Sequence, residues 1–138
     1  MQIRPYLTFK GECRDAITLY TKAFNTQATQ VALFSDMPSD PNHPMQIDDA
    51  QKDWVLQAII PLGNNLLRLS DCLGELNDDP TERIAIVVEC SVDEVKHAFQ
   101  VISEEGRVGI PLQETFFSPC HGVVFDKFGV MWNFVAEQ

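Results

Sequence analysis

The chain has 138 residues, of which 45% are hydrophobic and 22% charged, a composition typical of a globular domain that buries its own core. Ten Lys and Arg residues against twenty Asp and Glu residues give a net charge of -10, which repels nucleic acids and anionic membranes. No apolar run approaches the roughly 20 residues of a membrane span, and charged residues interrupt residues 1–20, where a signal peptide would lie. We therefore expect a soluble cytoplasmic protein without nucleic-acid or membrane partners.

The first half of the chain predicts a strand, a helix and three further strands. Residues 3–9 are rich in β-forming side chains, and apolar residues then recur at helical spacing from Ala16 to Phe24, with Asn25 as the expected helix end. Further strands are predicted over residues 27–34, 54–61 and 65–70. Residues 36–49 contain three prolines and four acidic residues, and this composition predicts a long loop.

The second half repeats this order of elements. Residues 83–89 predict a strand, and residues 92–102 predict a helix that begins with a capping box of Ser91 and Glu94 and closes at Gly106. Further strands are predicted over residues 106–111, 122–125 and 130–135. Both halves therefore predict a βαβββ module, and the chain as a whole predicts an α+β fold with an internal repeat.

The acidic, turn-rich segment 73–82 separates the two predicted modules. We therefore expect a single domain over residues 1–138, composed of a first module (1–72), a linker (73–82) and a second module (83–138).

The last two strands predict a hairpin. Asp126 and Gly129 have the chemistry of its turn, because Asp accepts hydrogen bonds from the following amides and Gly tolerates positive φ. Side chains alternate along the final strand. Met131 and Asn133 therefore share one face, while Val130, Trp132 and Phe134 share the other, which is expected to face the core.

No strong catalytic or metal motif is present. The histidines His43, His97 and His121 lack ligand spacing, and the four cysteines lack a CxxC spacing, which predicts reduced thiols. Cys120 and His121 are adjacent in a predicted strand and point to opposite faces, which disfavours a nucleophile–base pair. The chain also lacks a Gly-rich phosphate loop and a Gly-x-Ser-x-Gly elbow.

Three segments carry a family resemblance: PYLTFKGECRDAITLYTKAF (5–24), PLQETFF (111–117) and GVVFDKFGVMW (122–132). They resemble the PhnB-like branch of the glyoxalase, bleomycin-resistance and extradiol-dioxygenase superfamily, also called vicinal oxygen chelate proteins. The resemblance implies that the two βαβββ modules form a cup-shaped half-barrel, which is usually completed in a homodimer. Methyltransferase labels sometimes attach to this branch, but the chain lacks a Gly-rich loop for S-adenosylmethionine.

Enzymes of this superfamily hold a divalent metal with one ligand from the first and one from the last strand of each module. The resemblance places these four positions at Pro5, Arg68, Arg83 and Asn133, none of which is a His, Asp or Glu. Gln57 stands where many PhnB-like sequences have a His. We therefore predict no metal and no other cofactor.

The sequence is compatible with two hypotheses about the activity. The first is a metal-free cup that binds a small organic molecule, either an anion or a neutral compound. The alternative is a metal-dependent lyase, isomerase or dioxygenase of glyoxalase type, whose ligands lie one residue away from the positions given above. Such a slip in register would move every side chain to the other face of its strand.

Side-chain alternation from the same positions predicts which residues face the cup. Leu7 is expected there, and the predicted ligand-binding residues are Arg68, Arg83, Gln57, Asn133, Phe9 and Met131. The expected core residues beneath the helices are Tyr6, Leu67, Leu69, Ile84, Ile86, Trp132 and Phe134. The two arginines favour a carboxylate or phosphonate ligand. The alternative is internal pairing, in which Glu82, Asp71 or Glu114 neutralises these arginines and nothing binds.

Overall fold

Each half of the chain folds as one helix and one four-stranded sheet in this computed structural model, which describes residues 1–37, 47–76 and 83–138. The elements of the first unit are β1 (Tyr6–Phe9), α1 (Cys13–Ala23), β2 (Thr29–Leu33), short 3-10 turns at Phe34–Asp36 and Asp49–Gln51, β3 (Val55–Leu62) and β4 (Asn65–Asp71). Those of the second are β5 (Ile86–Cys90), α2 (Val92–Ser103), β6 (Arg107–Gln113), β7 (His121–Phe125) and β8 (Met131–Ala136).

The two sheets have the same topology. Their strand orders are β1-β4-β3-β2 and β5-β8-β7-β6, so the first strand of each unit lies beside the last. The pairs β1–β4 and β5–β8 are parallel, and all the other neighbouring strands are antiparallel. The predicted α+β fold with two βαβββ modules is therefore confirmed.

Contacts divide the chain into two units that follow these sheets, except that Lys22–Asn25 at the end of α1 belongs to the second unit. The predicted linker (73–82) and loop (36–49) extend into residues 77–82 and 38–46, which lie outside the described residues. Among the described helices, none is long and apolar enough to cross a membrane.

A buried carboxylate fixes the start of α1. Asp71, at the end of β4, accepts hydrogen bonds through Oδ1 from the backbone amides of Gly11 (2.8 Å) and Cys13 (3.1 Å). Its Oδ2 accepts a hydrogen bond from the amide of Val55 (2.9 Å). Because both oxygens have backbone donors, Asp71 serves as a structural link between α1, β3 and β4. Asn25 follows the helix with a φ of 49°, as expected for its end.

The predicted capping box of α2 is present. Ser91 Oγ accepts a hydrogen bond from the Glu94 amide (3.2 Å), and the Glu94 carboxylate accepts one from the Ser91 amide (2.9 Å). Hydrogen bonds to this carboxylate from the Ser91 amide, and to a smaller extent from the Ser91 side chain, lower the pKa of Glu94. At the other end, the Gly106 amide donates to Ser103 O (3.3 Å), which closes the helix near the predicted residue.

The strand predicted from residue 83 begins three residues later, at Ile86. Ile84 lies before the strand and is 74% exposed, so its predicted place in the core is wrong. The expected placement of Leu7 and Phe9 with Arg68 is also wrong, because Tyr6 pairs with Arg68 while Leu7 pairs with Leu69. Phe9 is buried on the face of Leu69, and Tyr6, expected in the core, is 54% exposed.

Candidate functional site

Polar side chains gather on one face of the first sheet. Tyr6 on β1 pairs with Arg68 on β4, which pairs in turn with Ile59 on β3. Residues two positions along the same strands share this face. We call it the first polar face, and its polar members are Tyr6, Thr8, Gln57, Arg68 and Ser70.

A hydrogen bond orders the first polar face. The Tyr6 hydroxyl donates to Ser70 Oγ at 2.9 Å, and Ser70 is buried while the tyrosine ring is half exposed. Arg68, two residues before Ser70 on β4, lies opposite Tyr6 on one side and the buried Ile59 on the other. The neighbours of Arg68 across the sheet are therefore one aromatic and one aliphatic residue.

Arg68 has no ion pair or hydrogen bond with any described residue, and the same is true of the Gln57 amide. Asp71, one of the acids considered as a partner for Arg68, has both oxygens occupied by backbone amides. Every side-chain nitrogen or oxygen sealed from solvent in the described part of the chain has a hydrogen-bond partner. The donors of Arg68 and Gln57 are therefore in contact with solvent.

Arg83, the other predicted anion ligand, is exposed and lies before β5. It has contacts of its own, so its guanidinium is not a free cation. Glu82, a suggested partner, lies outside the described residues, and the side chain of Glu114 is exposed. The two arginines therefore differ, and only Arg68 is placed on a sheet face with unpaired donors.

The second sheet has a polar cluster of His121 and Asn133, two residues that were considered independently in the sequence. Asn133 on β8 pairs with Val123 on β7 and with Val87 on β5. His121, two residues from Val123, shares this face, and its Nε2 lies 2.9 Å from Oδ1 of Asn133. We call the face defined by Val87, His121, Met131 and Asn133 the second polar face.

The register of the hairpin formed by β7 and β8 is sufficient to predict the His121–Asn133 pair from the sequence. Phe125 pairs with Met131 across the Asp126 turn, and pairing continues regularly to His121 and Val135. Counting outward from the turn therefore puts His121 on the face of Met131 and Asn133. Considering His121 only beside Cys120 missed this relationship.

The residues at the four family metal positions do not fit a divalent ion. Pro5 precedes β1, Arg68 is a cation, Arg83 precedes β5, and Asn133 uses its oxygen to bind His121. Within residues 1–37, 47–76 and 83–138, no group of three or more His, Cys, Asp or Glu side chains converges. The donor set thus lacks the ligands that metal coordination requires.

The sequence matches a known protein family over nearly its whole length. A family model described as 3-demethylubiquinone-9 3-methyltransferase matches residues 1–135, nearly the whole sequence. The chain belongs to this family. Protein YjdN of Escherichia coli (strain K12) is 29% identical over 147 residues, with 100% of this chain and 98% of the relative covered.

Solved structures agree with this membership. Protein PA1353 from Pseudomonas aeruginosa is 29% identical with a TM-score of 0.83, covering 100% of this chain and 98% of its own. A PhnB protein from Bacillus cereus is 23% identical with a TM-score of 0.78 over 99% and 100% of the two chains. The predicted PhnB-like relationship is confirmed.

A more distant solved structure shares the fold. The fosfomycin resistance protein FosX from Listeria monocytogenes is only 9% identical, yet its TM-score is 0.67 over 100% of this chain and 94% of its own. The family member described here therefore has a fold similar to that of this fosfomycin resistance protein.

Two thiols of this family member, the buried Cys13 and the half-buried Cys90, have raised pKa values. Burial, with a smaller contribution from the Asp71 carboxylate, raises the pKa of Cys13 to about 12. Burial, with the nearby carboxylates of Glu94 and Glu137, raises the pKa of Cys90 to about 11. All four cysteines are free, and a thiolate nucleophile at neutral pH is disfavoured at these two positions.

Proposed function

We propose that this protein binds a small organic anion, a carboxylate or a phosphonate, on the first polar face, with Arg68 as its main anchor. One observation carries the proposal: Arg68 lies on a sheet face with neither an ion pair nor a hydrogen bond to any described residue. A planar guanidinium with free donors matches the two oxygens of a carboxylate or phosphonate.

The surroundings of Arg68 favour anion binding over simple hydration. Arg68 is only partly exposed beside Tyr6 and the buried Ile59, and opposite charges attract more strongly at such a position than in bulk water. Gln57 offers an amide on the same face that can donate a second hydrogen bond. The Tyr6–Ser70 hydrogen bond holds the other edge of the face in place.

Internal neutralisation is the competing interpretation, and the position of Asp71 argues against it for Arg68. The Asp71 carboxylate is used by three backbone amides, and its negative charge supports the helix start rather than the arginine. Arg68 is half buried and still reaches water, so the unpaired cation is hydrated in the free protein. A ligand has only to replace that water.

The proposed binding is independent of a metal, and no catalytic step is derived. The residues at the family metal positions are poor ligands for a divalent ion, as described above. Metal analysis of the purified protein tests this part, since stoichiometric nickel, zinc, manganese or iron would overturn it. A homodimer is proposed from the family resemblance, and sedimentation measures it directly.

Calorimetric titration with a panel of small carboxylates and phosphonates, with their neutral amides as controls, tests the anion site. Arg68→Ala is expected to weaken binding by about ten- to a hundredfold, because a charge-assisted hydrogen bond contributes about 1.5–3 kcal/mol. Arg83→Ala tests the second predicted arginine in the same titration.

Arg14→Ala is the matched control, because Arg14 is exposed and donates through Nε to the backbone oxygen of Asp53. It removes the same net charge without touching the first polar face. Absence of binding across the panel, or equal losses in the Arg68 and Arg14 variants, would overturn the proposal.

A further inference from the structure

The second polar face contains a hydrogen-bonding pair that faces solvent although one member is almost buried. His121 is only 9% exposed, and its Nε2 bonds to Asn133 Oδ1 at 2.9 Å. Neither Nδ1 of His121 nor Nδ2 of Asn133 has a partner among the described residues. Every side-chain nitrogen or oxygen that is sealed from solvent in the described residues has a hydrogen-bond partner. Since Nδ1 of His121 and Nδ2 of Asn133 have none, these two atoms reach solvent.

The free atoms of this pair form one donor and one acceptor. With Nε2–H donating to Oδ1, the Nδ1 lone pair accepts and the Nδ2 amide donates. If both groups were reversed, Nδ1–H would donate and the amide oxygen would accept. Either arrangement presents one donor beside one acceptor, which complements a group that also has both, such as a carboxamide.

An aromatic wall adjoins the pair. The ring of Phe117 lies 5.0 Å from the His121 ring, edge to face, and Phe116 lies 5.2 Å from Phe117 in the same manner. Phe117 is 44% exposed and adds an apolar surface beside His121, and Phe116, which is 97% exposed, extends this surface. Such a combination suits a ligand that has a flat apolar body and a polar end.

Hydrogen bonds hold this wall in position. Thr115 Oγ1 accepts from the amides of Phe117 (3.3 Å) and Ser118 (3.1 Å), and the Thr115 amide donates to Ser118 O (2.9 Å). The Gln138 side chain donates to Phe117 O at 3.1 Å. The aromatic residues therefore project from an ordered turn.

The charges on this face favour a neutral ligand over an anion. Glu89 on β5 pairs with Val135, which pairs with His121, so a carboxylate lies in the same row of the face. Arg107 lies at the other end, where its guanidinium packs 4.2 Å above the Phe125 ring. The carboxylate of Glu89 repels an anion at His121, in contrast to the cation of the first polar face.

From these contacts we infer that His121, Asn133 and Phe117 form a binding site for an uncharged aromatic carboxamide, or a lactam of similar shape. The amide end bonds to the free atoms of His121 and Asn133, and the ring packs against Phe117. This site uses no residue of the first polar face, so it does not rest on the proposed anion function.

Benzamide is the probe, compared with benzoate, which has the same shape and a charge, and acetophenone, which lacks the N–H donor. Imidazole signals in NMR report binding, with His97 as an internal reference because it lies on α2 and contacts Lys22 O. Benzamide is expected to shift the His121 signals saturably and to bind about tenfold more tightly than acetophenone, the effect of one hydrogen bond.

The variants separate this site from a general apolar surface. Asn133→Ala, which removes one hydrogen bond, is expected to weaken benzamide binding about tenfold. Phe117→Ala is expected to weaken it as well, whereas Arg68→Ala leaves it unchanged. The exposed position of Phe117 keeps the Phe117 variant folded, which circular dichroism checks. An absent shift, an equal shift at His97, or benzoate binding as tightly as benzamide would overturn the inference.

Discussion

The indole N–H of Trp132 donates to Oδ2 of Asp126 at 3.0 Å, and both side chains are buried. The other oxygen, Oδ1, accepts from the amides of Phe128 and Val130, each at 2.9 Å. One carboxylate therefore fixes the turn of the last hairpin and also the largest side chain of the second core. This relationship explains how the hairpin places Asn133 on the opposite face.

Asp126→Asn tests this link. An amide retains one oxygen for the turn amides but turns its NH₂ towards the Trp132 N–H, so one buried donor loses its acceptor. We expect a loss of about 2 kcal/mol in the free energy of unfolding, measured by urea titration. The exposed Asp93→Asn on α2 is the control. Equal stability of the two variants would show that the carboxylate is not needed.

Local patterns were sufficient for the fold because each element has its own period. The alternation of Leu67, Arg68 and Leu69 correctly put the cation on the polar face. In β1, apolar residues occur on both faces, and only pairing with the distant β4 decides that Tyr6 accompanies Arg68. Tertiary pairing of this kind is not encoded in the alternation of a short strand.

The candidate sites were less predictable than the fold, because they depend on hydrogen bonds and ion pairs between residues of different elements. Asp71, one acid considered as a partner for Arg68, instead accepts hydrogen bonds at the start of α1, a contact between residues far apart in sequence. The His121–Asn133 pair follows from the hairpin register instead, and counting from the turn would have found it.

The buried Cys13 predicts a loss of stability in alkali. Its pKa is raised from the ordinary value of 9.0 to about 12 in the folded protein, so between these values the unfolded chain has lost a proton that the folded chain keeps. The thiol therefore contributes stability below pH about 9, and the free energy of unfolding falls as the pH rises towards 12.

Urea titrations across the alkaline range measure this decline. Cys13→Ala is expected to make the decline shallower, because the group that the unfolded state ionises is gone. Other groups titrate in the same range, Cys90 among them, so the difference between wild type and variant is the relevant quantity. Parallel curves for the two proteins would contradict the assignment.

Gly122 is predicted to tolerate no side chain, since α2 and β6 lie close to it. A Cβ atom there would be 2.9 Å from the Phe99 ring, 2.8 Å from Leu112 Cδ2 and 3.0 Å from the backbone oxygen of Ile110. The backbone contact cannot be relieved by a change of rotamer, so Gly122→Ala is expected to cost about 1–3 kcal/mol through overpacking.

Gly74→Ala is the matched control for Gly122, because a Cβ at Gly74 meets no atom within 4 Å and the residue has no positive φ. Its free energy of unfolding is expected to equal that of the wild type or to rise slightly, since Ala reduces the freedom of the unfolded chain. Thermal unfolding of the two variants compares them directly. Equal midpoints would mean that both α2 and β6 can move away from Gly122, and the close contact with the Ile110 backbone oxygen would then not restrict this position.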